Sequence, residues 1–445
     1  MPTTSLLPKR LDREARCEHG KGRREAASRV SQAQWKGREK HSDPIAMLLA
    51  ANRGRLPRLL QIKFARMAAS PFGFFRGAVP LMAADLAKLP VSGIHTQICG
   101  DAHVRNFGAY AAPDGRLVFD INDFDETIAG PWEWDVKRMA ASVVLAGREA
   151  NHKDSSCSEA VLGMMRAYRS TMQRCSAMNT LDLARFEVHR LWNRAPFVGV
   201  LKKAERATPQ QTLAKFTVPG KKGRVFKEAK PLVVRVPKRV HRQVIAALRE
   251  FRETLQPHYQ HFFDQYHPRD VIFKVVGTGS VGTRDFVVLC VGADESDPLF
   301  LQIKEEPPSS YAQYLPRVRG FLNEGMRVVD GQHRMQSRCD IFLGWTSMEG
   351  RDYLVRQLRD HKAGIEPEDL NGSNLMEYAR VCGELLAKGH ARSGDPCLIA
   401  GYCGRSDKLD KAISQFAIAY ADQTTADHQK LVAAIRRGRI RAAQA

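Results

Sequence analysis

Acidic and amide side chains are concentrated in two short segments of the first third of the chain. Residues 99–106, which we call the acidic loop, contain Asp101 and Asn106. Residues 123–125, which we call the aspartate turn, read Asp-Phe-Asp and follow an apolar run. Transfer of a phosphoryl group to a hydroxyl needs a carboxylate that accepts the proton, and oxygen ligands that hold Mg²⁺ on the phosphates. Asp101 suits the first role, and Asn106 with Asp123 suits the second.

A glycine-rich segment at residues 277–282, the glycine loop, lies between two strand-like runs. The residues that we assign to phosphate binding there are Gly277, Gly279, Ser280 and Gly282. Backbone amides of such a loop can approach phosphate oxygens because no Cβ is in the way. A dinucleotide-binding fingerprint requires a helix after the glycines, so the strand on both sides excludes it. Alone, the pattern also fits an ordinary glycine-rich hairpin.

Lys304 ends the next apolar strand, in the sequence Phe-Leu-Gln-Ile-Lys. A kinase sheet carries its phosphate-pairing lysine on the strand that follows the glycine loop, so Lys304 becomes the favoured phosphate ligand. The acidic partner of this lysine is expected on the next helical stretch, residues 314–336. Glu324 has the fitting position there, and Asp330 is the alternative.

The hydrophobic pattern predicts an α+β chain with five short strands in its second half. These strands are predicted at 271–276, 285–291, 299–304, 341–345 and 352–358. Apolar residues at helical spacing predict the main helices at 132–150, 158–177, 374–390, 407–420 and 427–437. Residues 70–77 contain a proline and two glycines, which predicts a loop.

Charge and composition suggest the organisation of the chain. The chain has 445 residues and a net charge of +21, and residues 202–240 contain twelve Lys or Arg and two Glu. The predicted units are a basic flexible tail (1–40), a helical lobe with the two acidic segments (41–200), a basic insertion (201–240), a β-rich nucleotide-binding lobe (241–366) and C-terminal helices that complete the helical lobe (367–445). No apolar run reaches the length of a membrane span and no secretory signal is present, so a cytoplasmic location is expected.

The acidic segments resemble those of the aminoglycoside phosphotransferase and choline kinase branch of the kinase-like superfamily. Its catalytic loop, His-Gly-Asp-x-His-x-x-Asn, is matched at Gly100, Asp101, His103 and Asn106, with Cys99 in place of the first histidine. The turn at 123–125 matches its metal-binding strand end. The resemblance implies a two-lobed kinase-like fold, ATP and Mg²⁺ as cofactors, and Asp101 and His103 as catalytic residues. It also implies that Asp135 opens a helix and braces the acidic loop.

Nearly the whole chain after about residue 40 also resembles an uncharacterised bacterial family, domain-of-unknown-function family 2252. The matching segments lie at 66–77, 100–108, 119–126, 328–332 and 390–395. The kinase motifs occur in rotated order, because the acidic loop and aspartate turn precede the glycine loop and Lys304. We therefore expect a circularly permuted kinase-like fold in which the helix at 374–390 packs beneath the acidic loop.

Other functions remain open at this stage. A metal-dependent phosphoesterase also uses Gly-Asp-x-His, but it would leave the glycine loop and Lys304 without a role. The 202–240 segment allows weak, salt-dependent nucleic-acid contact, without a zinc finger or an RNA-recognition signature. ATP binding without turnover and nucleotidyl instead of phosphoryl transfer are further alternatives. The acceptor, a small molecule or a protein side chain, is not indicated; Arg76 and Arg105 are candidates for contacts with phosphates or substrate.

Overall fold

The computed structural model describes residues 11–38, 42–188, 195–221, 223–316, 321–358 and 363–443. It confirms a mixed α+β chain whose strands pair antiparallel in separate sheets. The helices are α1 Arg13–Gly22, α2 Pro44–Ala51, α3 Pro57–Ala68, α4 Pro71–Gly77, α5 Val79–Leu86, α6 Trp132–Glu149, α7 Asp154–Ala177, α8 Thr180–Arg185, α9 Phe197–Arg206, α10 Pro209–Phe216, α11 Lys238–Thr254, α12 Pro257–Phe263, α13 Glu324–Met335, α14 Asn374–Ser393, α15 Pro396–Cys403 and α16 Lys408–Arg436. The strands are β1 His95–Ile98, β2 Phe107–Ala111, β3 Leu117–Ile121, β4 Ile128–Pro131, β5 Thr217–Gly220, β6 Gly223–Phe226, β7 Val233–Arg235, β8 His267–Lys274, β9 Asp285–Val291, β10 Pro298–Glu305, β11 Gly344–Met348, β12 Arg351–Gln357 and β13 Ala363–Gly364.

The largest sheet has the strand order β11-β12-β10-β9-β8-β7, and the five strands predicted in the second half overlap β8 to β12. Every residue of β9 and β10 is buried, as their continuous apolar sequences predict for strands covered on both faces. One face packs against α11 through residues such as Phe251. The other face packs against the α10–β6 segment through residues such as Phe226. The glycine loop joins β8 to β9, and Lys304 lies in β10.

The second large core is helical and includes α6, α7, α14 and α16. Residues 132–147 of α6 are all buried, so this helix crosses the middle of the core. It nevertheless carries the charged side chains of Glu133, Asp135, Lys137 and Arg138. Buried charges need partners, and two of these residues find them in the acidic loop.

Two small sheets position the acidic segments. Strand β1 pairs with β4, and β2 pairs with β3 and β13. The acidic loop connects β1 to β2, and the aspartate turn lies between β3 and β4. Because β2 and β3 are antiparallel, the end of β3 lies beside the start of β2, with Phe107 opposite Ile121. The backbone N–H of Asn122 donates to the carbonyl of Asn106 at 3.0 Å, which brings the two segments together.

The N-terminal segment differs from the predicted flexible tail of residues 1–40. Residues 11–38 contain α1, which packs on α15 so closely that a Cβ on Gly20 would lie 2.1 Å from the carbonyl oxygen of Leu398. Arg24 Nε donates to the carbonyl of Tyr402 at 3.0 Å. The glycine allows close backbone approach and the arginine binds the end of α15, so a basic composition here supports docking rather than repulsion.

The predicted basic insertion at 201–240 also differs, because its described residues form α10, the β5–β6 hairpin and the edge strand β7. The backbone N–H of Phe226 and the guanidinium of Arg235 both donate to Asp270 of β8, at 2.7 and 2.5 Å. Apolar residues between the cations, including Leu213 and Phe216, pack against the large sheet. The segment is therefore part of the fold, and Lys222 lies outside the described residues.

Two further local predictions are wrong. Residues 70–77, predicted as a loop, contain α4, because Ser70 Oγ caps the helix by accepting from Gly73 N at 3.0 Å and Pro71 occupies the first turn. The two C-terminal helices predicted at 407–420 and 427–437 are the single helix α16. Among the described residues, no helix has the length and apolar character that crossing a membrane requires.

Candidate active site

The acidic loop is held in place by Asp135 of α6. The two carboxylate oxygens of Asp135 accept hydrogen bonds from the backbone N–H groups of Cys99 and Gly100, at 2.7 and 2.9 Å. Asp135 lies within the first turn of α6, whose N-cap is Pro131, so it braces the loop without capping the helix. Gly100 has φ +80°, and a Cβ there would lie 2.3 Å from the carbonyl oxygen of Glu126, so the turn requires glycine.

Asp101 points into an ion pair with Arg138. Its Oδ1 accepts from Arg138 Nε at 2.7 Å and lies 2.5 Å from Nη2, and the arginine is fully buried. Burial raises the pKa of Asp101 to about 6 against the lowering effect of Arg138, with the charges of Asp123 and Glu126 adding to the rise. The carboxylate is therefore ionised at neutral pH and close to the range in which it can take up a proton.

His103 and Asn106, which follow Asp101 in the acidic loop, both lie close to it. His103 Nδ1 accepts from Arg105 N at 3.2 Å, which places the ring proton on Nε2, 3.7 Å from Asp101 Oδ2. Burial, with the nearby Arg76 charge next in size, lowers the pKa of His103 well below its ordinary value, so the ring is neutral. Asn106 Nδ2 donates to the Asp101 carbonyl at 2.9 Å, a bond that does not use its side-chain oxygen.

The aspartate turn and Lys304 form a charged cluster. Lys304 Nζ donates to Asp125 Oδ2, and Asp123 Oδ1 accepts from Asp125 N at 3.4 Å. Burial raises the pKa of Asp123, but the charges of Lys304 and Arg356 outweigh it and hold the pKa below the ordinary value. Burial and the Asp123 charge raise the pKa of Asp125. Asp123 is therefore ionised at neutral pH, and Asp125 pairs with Lys304.

The predicted acidic partner of Lys304 is not found on α13. Glu324 pairs with Arg327, and Asp330 pairs with Arg334 at 2.6 Å. Both acids have an arginine three or four residues further along the same helix, a spacing that places the two side chains together. Asp125 takes the lysine instead, contrary to the prediction.

Glu306 belongs to the same cluster and was missed by the sequence analysis. It lies two residues after Lys304 and thus on the same face of the extended chain. The side chain is buried, and neither of its carboxylate oxygens has a hydrogen-bond partner among the described residues. Burial, followed by the Asp125 charge, raises its pKa well above the ordinary value. The spacing of two residues from Lys304 was the available signal.

The glycine loop is held from the helical side by cations that the sequence analysis also missed. Arg55 Nη1 donates to the carbonyls of Gly279 and Val281, at 2.7 and 2.8 Å. Lys63 Nζ donates to the Gly279 carbonyl at 3.2 Å, and Arg66 donates to that of Gly277. Gly277 and Gly282 have φ +62° and +100°. Arg66 begins the 66–77 segment that resembles the family, whereas no sequence motif marks Arg55 or Lys63; all three lie in or beside α3.

One cleft of about 950 Å³ brings these segments together. The predicted site residues that line it are Asp101, His103, Asn106, Asp123, Gly277, Gly279, Ser280 and Glu324. Gly282 lies behind the loop against Arg55, and Lys304 reaches the cleft wall through its pair with Asp125. Asp125, Glu306 and Arg76 also line the cleft.

The donor set of the cleft suits a cation that prefers oxygen. Among the described residues, Asp125 Oδ1 and both oxygens of Glu306 are buried without a hydrogen-bond partner, and Asp123 carries a negative charge beside them. Within the described part of the chain, no group of three or more His, Cys, Asp or Glu side chains could hold a metal ion by itself. Mg²⁺ usually takes one or two carboxylates and completes its shell with water and substrate phosphates, so Asn106 and Asp123 fit such an ion.

Helix α14 lies beneath the acidic loop, as expected for residues 374–390. Tyr378 Oη donates to the carbonyl of Val104, and Thr96 Oγ1 donates to that of His390 at 3.1 Å. His390 Nε2 lies 3.3 Å from Asp135, the residue that braces the loop. The C-terminal helices therefore support the site from below.

A second cavity, of about 840 Å³, is lined by Asn122, which immediately precedes the aspartate turn. Aromatic side chains, including Tyr266 and Phe342, line it together with Arg356 and Gln357. It includes none of the predicted site residues, so we take the 950 Å³ cleft as the candidate active site.

Comparison with known proteins gives one match. No curated protein and no solved structure matches the chain. A family model described as "Uncharacterized protein conserved in bacteria (DUF2252)" matches residues 55–434. Because this match covers most of the chain, the protein belongs to that family.

Proposed function

We propose that this member of the DUF2252 family is an ATP- and Mg²⁺-dependent phosphotransferase that acts on a hydroxyl acceptor. One observation carries the proposal: the acidic loop, the aspartate turn and the glycine loop line the same cleft although they come from opposite halves of the chain. A proton acceptor, metal ligands and a phosphate-binding loop are the parts that phosphoryl transfer requires, and residues of the cleft suit each of these three roles.

The residues have distinct roles in this proposal. Asp101 orients the acceptor hydroxyl and takes its proton, the hydroxyl oxygen bonds to the γ-phosphorus, and the bond to the bridging oxygen breaks to release ADP. His103 positions the Asp101 carboxylate, and Lys304 and the glycine-loop backbone bind phosphate oxygens. Asn106 and Asp123 hold Mg²⁺, which neutralises phosphate charge when bound. Glu324 lines the cleft but pairs with Arg327 rather than with Lys304.

The proposal extends to the architecture. A helical lobe formed by 41–200 and 367–445 would face a β-rich nucleotide lobe at 241–366, in the order of a circularly permuted kinase-like fold. Three observations support this arrangement. Helix α14 donates a hydrogen bond to the acidic loop, the glycine loop precedes β9, and Lys304 lies on the adjacent strand β10. Termini at the surface tolerate such a rearrangement.

Two alternatives are less well supported. A two-metal phosphoesterase needs a second cation beside the carboxylates, but the Lys304 ammonium already pairs with Asp125 there. The nucleic-acid alternative needs cations of the basic 202–240 segment that are available to phosphates. However, part of this segment packs against the large sheet, and Arg235 is paired with Asp270. Phosphoryl transfer would release ADP, whereas nucleotidyl transfer would release pyrophosphate, so product analysis separates these two.

The test is calorimetric titration of ATP into the protein with and without Mg²⁺. We expect Mg²⁺-dependent binding by the wild type and its loss in Asp123→Asn, because the amide removes the charge that holds the ion. Asp114→Asn is the matched control, since Asp114 is an exposed aspartate in the turn between β2 and β3. Folded wild type that does not bind ATP, or Asp123→Asn that binds it normally, would overturn the proposal.

A further inference from the structure

Arg76, at the end of α4, differs from the other arginines around Asp101. Arg138 pairs with Asp101 and Arg105 pairs with Glu366 at 2.6 Å. Arg76 also lines the cleft, but its Nε is buried without a hydrogen-bond partner, and no ion pair involves its guanidinium within the described residues. A buried donor without a partner is rare in proteins, and this donor belongs to a partly exposed side chain that carries a positive charge. The observation therefore points to an anionic ligand that binds at this position.

The surroundings of Arg76 locate that ligand. The charges that act on it are, in order, those of Arg105, Asp101, Glu366 and Asp123. It therefore lies near both the proposed proton acceptor and the proposed metal ligand. Its backbone carbonyl lies next to the glycine loop, where a Cβ on Gly279 would be 3.3 Å from it. Burial, with Arg105 next in size, lowers the pKa of Arg76 to about 10, so the side chain stays charged at neutral pH.

We propose that Arg76 binds the terminal phosphoryl group of the nucleotide while that group is transferred, an inference that rests on the function proposed above. During the step, the acceptor hydroxyl gives its proton to Asp101 and its oxygen bonds to the γ-phosphorus. The bond between that phosphorus and the β,γ-bridging oxygen breaks, and ADP leaves with the electron pair. The planar guanidinium donates two hydrogen bonds to the non-bridging oxygens, where negative charge is concentrated.

The direct test compares two ligands, Mg²⁺-ADP and the non-hydrolysable β,γ-imido analogue of Mg²⁺-ATP, by calorimetry. We expect the wild type to bind the analogue more tightly than ADP. In Arg76→Gln we expect the affinity for the analogue to fall about 10- to 100-fold while the affinity for ADP changes less than about twofold, because only the analogue has a γ-phosphate. Arg53→Gln is the control for charge, since Arg53 is an exposed arginine that lines the same cleft.

The outcomes separate this inference from the function on which it rests. If the wild type binds neither ligand, the phosphotransferase proposal itself fails. If it binds both and Arg76→Gln keeps the preference for the analogue, or loses affinity for both ligands equally, the role of Arg76 is overturned and the phosphotransferase proposal stands. Arg76→Gln should also melt at or above the wild-type temperature, because no protein partner is lost. A large fall in melting temperature would indicate a structural role and would overturn the inference.

Discussion

Two buried lysines in and around the cleft form ion pairs with acidic residues that are distant in sequence. Lys304 pairs with Asp125, and Lys388 of α14 pairs with Asp120 of β3. Buried pairs of this kind contribute little net stability, but removing one partner from such a pair costs about 3–5 kcal/mol because the other charge is left buried alone. We infer that Lys304 and its acidic neighbours are present for ligand binding rather than for stability.

Asp285 allows a test of buried charge at the scale of one residue. It lies opposite Lys304 in the β9–β10 pair. Its Oδ2 accepts from Gln302 Nε2 at 2.7 Å, and its Oδ1 has no hydrogen-bond partner in the described part of the chain. Burial raises its pKa from 3.8 to about 7, although Lys304 and Gln302 act in the opposite direction. The folded protein therefore holds a proton that the unfolded chain releases above about pH 4. The contribution of Asp285 to the free energy of unfolding is therefore largest below about pH 4. It decreases between pH 4 and 7 and is lost above pH 7.

We expect Asp285→Asn to remove this pH dependence, because asparagine imitates the neutral acid. Its free energy of unfolding should exceed that of the wild type at pH 8 by on the order of 4 kcal/mol, and the two proteins should converge towards pH 4. Urea unfolding at intervals between pH 4 and 8 measures both trends. Asp297→Asn, a change in the turn between β9 and β10, serves as the control. An equal difference at every pH would contradict the assignment of the proton to Asp285.

At the scale of elements, the sequence predicted those whose apolar pattern is regular. Strands β8 to β12 and the long helices α6, α7 and α14 overlap their predicted ranges, because periodic burial is visible in the sequence. The prediction split helix α16 in two because residues 422–425 are all polar. Thr424 and Thr425 instead donate back to the carbonyls of Tyr420 and Ala421, which keeps these hydroxyls bonded within the helix.

The anchoring of the glycine loop gives a prediction for a loop and a helix together. Arg55 supplies two hydrogen bonds to the loop carbonyls, and Leu56 N donates to the Gly282 carbonyl at 2.8 Å. We expect Arg55→Ala to speed amide hydrogen exchange in residues 277–283 by about tenfold, because two bonds of about 1 kcal/mol each are lost while Lys63 and Arg66 remain. Exchange measured by mass spectrometry, with Arg53→Ala as the exposed control, tests this. Unchanged exchange in Arg55→Ala would show that the arginine does not restrain the loop.

At the scale of the whole molecule, the sequence predicted which segments line the candidate site but not every residue that completes it. The motifs at 99–106, 123–125 and 277–282 were recognised, and the structure places all three on one cleft. Arg55 was not recognised because a single charged residue in an ordinary element carries no pattern that identifies its partner, and Glu306 was marked only by its spacing of two residues from Lys304. Long-range placement is decided by packing, which local sequence does not record.

The N-terminal segment illustrates the same limit, since its composition predicted a tail and its packing makes it part of the fold. The family match begins at residue 55, yet α1 at Arg13–Gly22 packs on α15, which lies inside the matched range. The contact depends on reciprocal glycines, because a Cβ on Gly401 would lie 2.0 Å from the carbonyl oxygen of Cys17. Residues before the matched range are therefore expected to stabilise the whole molecule.

Two substitutions in the same helix test this contribution. In Gly20→Ala, the new Cβ would lie 2.1 Å from the Leu398 carbonyl oxygen, so the helices must separate. We expect a loss of about 1–3 kcal/mol, which lowers the melting temperature by several degrees. In Gly22→Ala, no heavy atom lies within 4 Å of the new Cβ, and alanine favours helix, so the melting temperature should stay the same or rise slightly. Calorimetry of both variants decides the matter: equal melting temperatures would show that α1 does not stabilise the fold, whereas a fall confined to Gly20→Ala would show that the segment before the family match is structurally required.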